Sequence, residues 1–113
     1  MDCLFCKIAN GEIPSNKVYE DDKILAFHDI APQAPVHVLV IPKEHVASSA
    51  NDVNGENCNT IGYLFSKIPE IAKLCGVDSY RIINNCGEKA GQTVKHIHFH
   101  ILGGEKLPEN MGN

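Results

Sequence analysis

Histidines occupy every second position of the segment His96-Ile97-His98-Phe99-His100-Ile101-Leu102. A neutral imidazole carries a lone pair on one ring nitrogen and a proton on the other, so a row of them can supply a nucleophile, a proton donor or metal ligands. On a β-strand alternate side chains share a face, which would align the three rings on one surface while Ile97, Phe99 and Ile101 pack behind them. On a helix the same residues would spread over roughly 200°, and the β-branched and aromatic residues between them favour the strand. Near the amino terminus Cys3 and Cys6 are spaced as C-x-x-C, which lets two thiolates reach one tetrahedral ion.

The elements that must position these groups follow from the hydrophobic pattern. Residues 3–10 read as a short helix ended by Gly11, with Ile13-Pro14 breaking the pattern. Val18-Tyr19 and residues 24–30 form a hairpin around the acidic turn Glu20-Asp21-Asp22, and the β-branched run 36–41 is a third strand closed by Pro42. Residues 56–75 place Ile61, Leu64, Phe65, Ile68, Ile71, Ala72 and Cys75 at helical spacing and end at Gly76. Pro69 lies inside that helix and predicts a kink or a break. Residues 80–84 read as a fourth strand, 85–93 as a glycine-containing loop, and the histidine strand is the fifth. The fold class is α+β, a five-stranded antiparallel sheet with one long and one short helix, and residues 1–113 form a single domain.

If the strand 36–41 lies antiparallel to the histidine strand with His37 opposite His100, then Leu39 faces His98 and Ile41 faces His96. All six then share one side of the sheet. His45, just beyond one strand, then falls near His96 at the start of the other. Cys3, Cys6, His45 and His96 thus make a candidate structural zinc site, separate from the rest of the histidine row. Cys58, Cys75 and Cys86 read as small core residues or incidental thiols.

Composition narrows the partners. The net charge is −4 and the ten Lys and Arg residues are scattered, which leaves no basic field for a nucleic-acid backbone, so any phosphate must be held by local donors. No apolar run approaches the roughly 20 residues that span a bilayer, and Met1-Asp2-Cys3 lacks the start of a secretory signal. Five cysteines, an odd number, argue for thiols or metal ligands over a disulfide framework. A cytoplasmic location is expected, with neither nucleic acid nor membrane as partner.

The segment 96–102, together with Phe27-His28-Asp29-Ile30-Ala31-Pro32-Gln33-Ala34-Pro35-Val36-His37 and Gly91-Gln92-Thr93-Val94, resembles the histidine triad (HIT) family in its Hint-like branch of nucleoside phosphoramidases, from Cys3 to Gly104. The Cys and His set is similar to that of bacterial zinc-binding members. The resemblance implies a homodimer paired through the long helix and the histidine-strand region. It implies cleavage of purine nucleoside phosphoramidates through a nucleotide carried on histidine, with a purine nucleoside monophosphate as product and no cofactor for catalysis. On that likeness His98 is the nucleophile, its tautomer fixed by a backbone carbonyl. Gly91 and Thr93 amides, the Asn85 side chain and His100 meet the phosphate oxygens, and Thr93 protonates the leaving amine where most relatives have serine. His37 joins the catalytic group. Asp29 holds the ribose hydroxyls, His28 lies among the nucleotide contacts, and Phe5, Ile8, Phe27, Ile30 and Leu39 enclose the base. The tail 104–113 lacks the tryptophan with which some relatives close the neighbouring pocket and has Glu109 in that region.

Two other classes stay open on the residues alone. Alternate histidines on a strand also suit a catalytic metal ion, which would make the chain a metal-dependent phosphohydrolase. A nucleotide-binding regulatory module with little turnover is the third reading.

Overall fold

The computed structural model describes residues 3–110; Met1-Asp2 and positions 111–113 of the tail, both used in the sequence reading, lie outside the described residues. The element order is α1 (Leu4–Ala9), β1 (Lys17–Glu20), β2 (Ile24–His28), β3 (Val36–Pro42), α2 (Cys58–Leu74), β4 (Tyr80–Ile83) and β5 (Phe99–Gly103), with short 3-10 turns at Ala50–Asp52 and Glu88–Ala90. The strands form one sheet in the order β1-β2-β3-β5-β4, with every neighbouring pair antiparallel. This is the expected α+β architecture. The elements differ from expectation mainly at their ends.

Alternation along the strands divides the sheet into two working faces. Ile24 and Ala26 of β2, Val38 and Val40 of β3, and Ile97, Phe99 and Ile101 form one cluster with Ile61, Leu64, Ile68 and Ile71 of α2. The opposite face carries Leu25, Phe27, Leu39 and Ile41, which pack against Phe5 and Ile8 of α1. Each helix presents an apolar stripe to its own side of the sheet, so burial on both faces fixes which side every strand residue takes.

Helix α2 runs continuously through Pro69, which removes the break allowed by the sequence. Pro69 and Phe65, whose carbonyl a residue-69 amide would have met, are both exposed, so water can satisfy that carbonyl. Gly76 follows the helix at φ +76, a left-handed conformation that suits glycine as a helix terminator.

Two features of the histidine segment depart from expectation. Its ladder begins only at Phe99, so His96, Ile97 and His98 precede the strand proper. The register with β3 is also two residues away from the expected one: His37 pairs with Leu102 and Leu39 with His100. A shift of two preserves parity, so every side chain keeps its face although its opposite number changes. Burial pattern specifies the face and cannot specify which of two same-parity registers the hydrogen bonds choose.

The partition between core and surface on α2 is testable. Leu64 is 0% exposed whereas Leu74 is 60% exposed. Leu64→Ala should cost about 2–5 kcal/mol in chemical denaturation, and Leu74→Ala should lie within about 0.5 kcal/mol of the parent.

Candidate active site and metal centre

The α1 side of the sheet gathers most of the chemistry-bearing residues. His37, on β3, is 5% exposed and His98 is 5% exposed, in a protein where only four polar side chains among the described residues are buried. Burying polar rings is costly unless their hydrogen bonds are met. Here they are met in a way that fixes each proton.

His98 Nδ1 lies 2.8 Å from the carbonyl oxygen of His96. A carbonyl only accepts, so Nδ1 carries the proton and Nε2 keeps its lone pair. Burial pushes His98 below the usual imidazole range, which holds the ring neutral at pH 7. The second chain of bonds starts at Gln33, whose backbone N–H donates to His37 Nδ1 at 3.0 Å. His37 therefore carries its proton on Nε2 and donates it to His100 Nδ1 at 2.9 Å. His100 is left with a proton on Nε2. Desolvation, followed by the neighbouring His98 and His37, lowers His100 to about 4, and burial lowers His37 in spite of the Asp29 carboxylate. The result is one imidazole presenting a lone pair beside another presenting an N–H, with their ring centres 5.1 Å apart.

An apolar floor adjoins the two rings. Phe5 stands edge-on to His98 with centroids 5.0 Å apart and edge-on to Phe27 at 5.7 Å, and Ile8, Phe27 and Leu39 complete the cluster. Asp29 directs Oδ2 to within 3.5 Å of His37 Nε2 while Oδ1 accepts from the Ala31 amide. Gly91, at φ +92, allows the chain to turn towards Thr93, which is exposed. Asn85 donates one N–H to Ala90 O within the same loop, leaving its second N–H for another acceptor.

Two expected contacts fall elsewhere. His28 has the parity of Ile24 and Ala26, and its side chain lines a shallow cavity with Leu74 and Cys75 on the α2 side, away from the row. Ile30 is 101% exposed and packs against none of the base-enclosing residues. Strand parity explains the first; the second lies beyond β2, which ends at His28 rather than at residue 30. Three groups not singled out by type or spacing also shape the site. The Gln33 amide sets the His37 tautomer. Gln92 accepts from the Gly87 amide and donates to Ser48 O and Val94 O, pinning the glycine loop. Asn84 donates to the carbonyl of His98. The only sequence signal for these was position: Gln33 and Gln92 lie inside the motif segments and Asn84 closes the expected fourth strand.

Cys3, Cys6, His45 and His96 place four ligand atoms within 4.8 Å of one another. Cys3 Sγ is 3.3 Å and Cys6 Sγ 3.5 Å from His96 Nδ1, and Cys6 Sγ is 3.5 Å from His45 Nδ1. Tetrahedral zinc with ordinary bond lengths separates sulfur from nitrogen by about 3.5 Å. His96 donates from Nε2 to Pro42 O at 2.8 Å, which leaves Nδ1 unprotonated and oriented as a ligand nitrogen. Partial burial and the adjacent Cys3 thiol push Cys6 up to about 11, the response of a close, half-buried thiol pair to which a cation would give a reason to ionise. The donor set therefore fits a structural zinc ion. A second set, Asp29, His37 and His100, also lies within 4.8 Å. There the two imidazoles already share a proton at 2.9 Å, so a metal could use both only by reversing the His37 tautomer against the Gln33 amide.

The family model described as HIT domain matches residues 10–107. An uncharacterised HIT-like protein of Rickettsia prowazekii is 48% identical, the match covering 92% of this chain and 88% of that one. The purine nucleoside phosphoramidase of Escherichia coli K12 is 44% identical, again over 92% of this chain and 88% of its own. Among solved structures, a histidine triad protein from Clostridium difficile superposes with a TM-score of 0.92 at 53% identity, covering 98% of this chain and 97% of its own. A HIT family hydrolase from Legionella pneumophila gives 0.91 at 45% identity, covering 96% and 98%.

The depressed histidines imply a direction for acid destabilisation. Unfolded imidazoles titrate near 6.5, whereas in the fold His37 is lowered and His100 lies at about 4. The unfolded chain therefore binds protons that the folded one refuses as pH drops through this interval. Urea denaturation should show their contribution intact above about pH 6.5, lost progressively towards pH 4, and flatter across that range in His100→Gln.

Proposed function

Because the chain belongs to the HIT domain family, we propose that it is a nucleotide-binding hydrolase that cleaves purine nucleoside 5′-phosphoramidates through a nucleotide carried on His98. The observation that carries this reading is the fixed tautomer of His98, a neutral ring held with Nε2 unprotonated beside an apolar floor. The similarity to a protein named purine nucleoside phosphoramidase supports the choice of substrate.

In this mechanism the base rests against Phe5, Ile8, Phe27 and Leu39, and Asp29 receives the ribose hydroxyls. His98 Nε2 attacks phosphorus, forming an N–P bond as the substrate P–N bond breaks. The departing amine takes a proton from Thr93 or from His100 Nε2–H, so it leaves neutral. Water then attacks the phosphorus, the N–P bond to His98 breaks, and the purine nucleoside monophosphate departs while a water proton restores the donor. Splitting the displacement in two lowers each barrier. Amides of Gly91 and Thr93, the second N–H of Asn85, and His100 stabilise charge on the phosphate oxygens, which suits a chain with no basic field. His37 keeps His100 in its donor tautomer.

The supporting assignments are a cytoplasmic homodimer and a structural zinc held by Cys3, Cys6, His45 and His96. Phe65 on α2 and Ile82 on β4 are exposed apolar side chains available to such a dimer. No helix among the described residues is long and apolar enough to cross a membrane.

Mass spectrometry of protein quenched with an adenosine phosphoramidate should find one nucleotide on the peptide containing His98. His98→Asn should lose the adduct and turnover by about 10³-fold or more. Survival of turnover in chelator is expected; loss restored by added metal would favour the metallohydrolase instead, and nucleotide binding without turnover would favour the regulatory module.

For the zinc site, protein purified without an affinity tag should contain one zinc per chain and Cys6→Ser should lose it. Stripping the ion should lower stability, by about 4 kcal/mol if free zinc had stood a thousandfold above its Kd. Absence of stoichiometric metal with unchanged stability in chelator would remove this assignment.

A further inference from the structure

The backbone at His98 lies just beyond the sheet that would normally hold it. The β4–β5 ladder ends at Ile83 opposite His100, and the β3–β5 ladder ends at Val40 opposite Phe99. The His98 carbonyl therefore has no strand partner. A buried carbonyl without one is both costly and free to reorient. In this chain the vacancy is filled by a side chain: Asn84, the residue immediately after β4, donates from Nδ2 to His98 O at 2.8 Å.

The Asn84 amide is itself fixed from the other end. Its Oδ1 accepts from the Ala50 backbone N–H at 2.9 Å, and the Cys86 thiol lies 3.2 Å from the same oxygen. A donor facing the carbonyl and an acceptor facing the amide leave only one orientation for the side chain. On the other side, Ile97 N–H donates to Ala47 O at 2.9 Å. Asn84 thus continues the ladder by one rung in side-chain form, tying His98 to both β4 and the loop at Ala50.

We propose that Asn84 is a positioning residue for the nucleophile, holding the His98 backbone so that its ring meets the His96 carbonyl through Nδ1 and keeps Nε2 as the bare nitrogen. The inference rests on the reading of His98 as nucleophile. Asn84 touches none of the reacting atoms; it acts through the residue whose carbonyl it binds. Rotation of the 97–98 backbone would move His98 relative to the His96 oxygen, 2.8 Å from Nδ1, and a short directional bond weakens steeply with misalignment. A small misplacement of a nucleophile is expensive because the bound geometry must be a near-attack one.

Two substitutions separate the donor from the anchor. Asn84→Asp keeps an oxygen for the Ala50 amide but sets a second oxygen against the His98 carbonyl; Asn84→Leu retains the volume and removes both bonds. The readouts are the single-turnover rate of adduct formation on His98, the Kd for adenosine monophosphate, the unfolding temperature, and the His98 tautomer by 15N NMR. Both variants should form the adduct at least about tenfold more slowly, the equivalent of one hydrogen bond. Nucleotide Kd should stay within about twofold, and the single Nδ1–H tautomer should become mixed. Adduct formation within twofold of the parent, or a rate loss matched by an equal loss of nucleotide binding with the tautomer unchanged, overturns the proposal. If the parent forms no adduct, the proposed function fails. The NMR comparison then decides Asn84 alone: a mixed tautomer in Asn84→Asp supports its positioning role, and an unchanged one rejects it.

Discussion

The structure turns on a proton. A hydrogen bond of 2.8 Å from His98 Nδ1 to the His96 carbonyl decides which nitrogen of a buried ring is bare. A parallel relay from the Gln33 amide through His37 leaves His100 with a proton to give. Neither outcome needs charge. The rings are held neutral by desolvation and their roles are assigned by which partner can only accept and which can only donate. This is how an acidic chain sets a bare ring nitrogen beside a ring N–H without using a charged group.

The constraint explains why both faces of the sheet are covered. Packing of α2 against Ile97, Phe99 and Ile101 fixes the alternate positions, so His98 and His100 must project to the α1 side. There Phe5 and Ile8 supply the low-dielectric surroundings that keep the imidazoles uncharged. His96 joins the two centres. Its side chain is aligned by the Pro42 carbonyl towards the cysteines, while its own carbonyl sets the tautomer of His98. Cys3 caps α1, so the same cluster that gathers the cysteines also seats the helix bearing Phe5.

Much of the site was legible in the sequence because it is written in period two. Alternating histidines with apolar partners specify an extended segment with one polar face, and parity alone brings His37, His98 and His100 to one side. The C-x-x-C pair with His45 and His96 was likewise reachable, since strand ends set the neighbourhood of both histidines. Register was not legible to two residues, because a shift of two leaves the burial pattern unchanged. His28 and Ile30 were placed differently: His28, the last residue of β2, has the parity of Ile24 and Ala26 and so takes the α2 side, while Ile30 lies beyond the end of the strand and is exposed.

By itself, the sequence determined the element types, the two faces of the sheet and the identity of the residues that could do chemistry, because local periodicity and side-chain functional groups are properties of the chain. Only the tertiary structure decided where each proton sits and what holds the segment before β5. Those depend on backbone groups that every residue shares, such as the carbonyls of Pro42 and Ala47, and on a side-chain amide, that of Asn84, whose partner lies fourteen residues away. No residue type announces them.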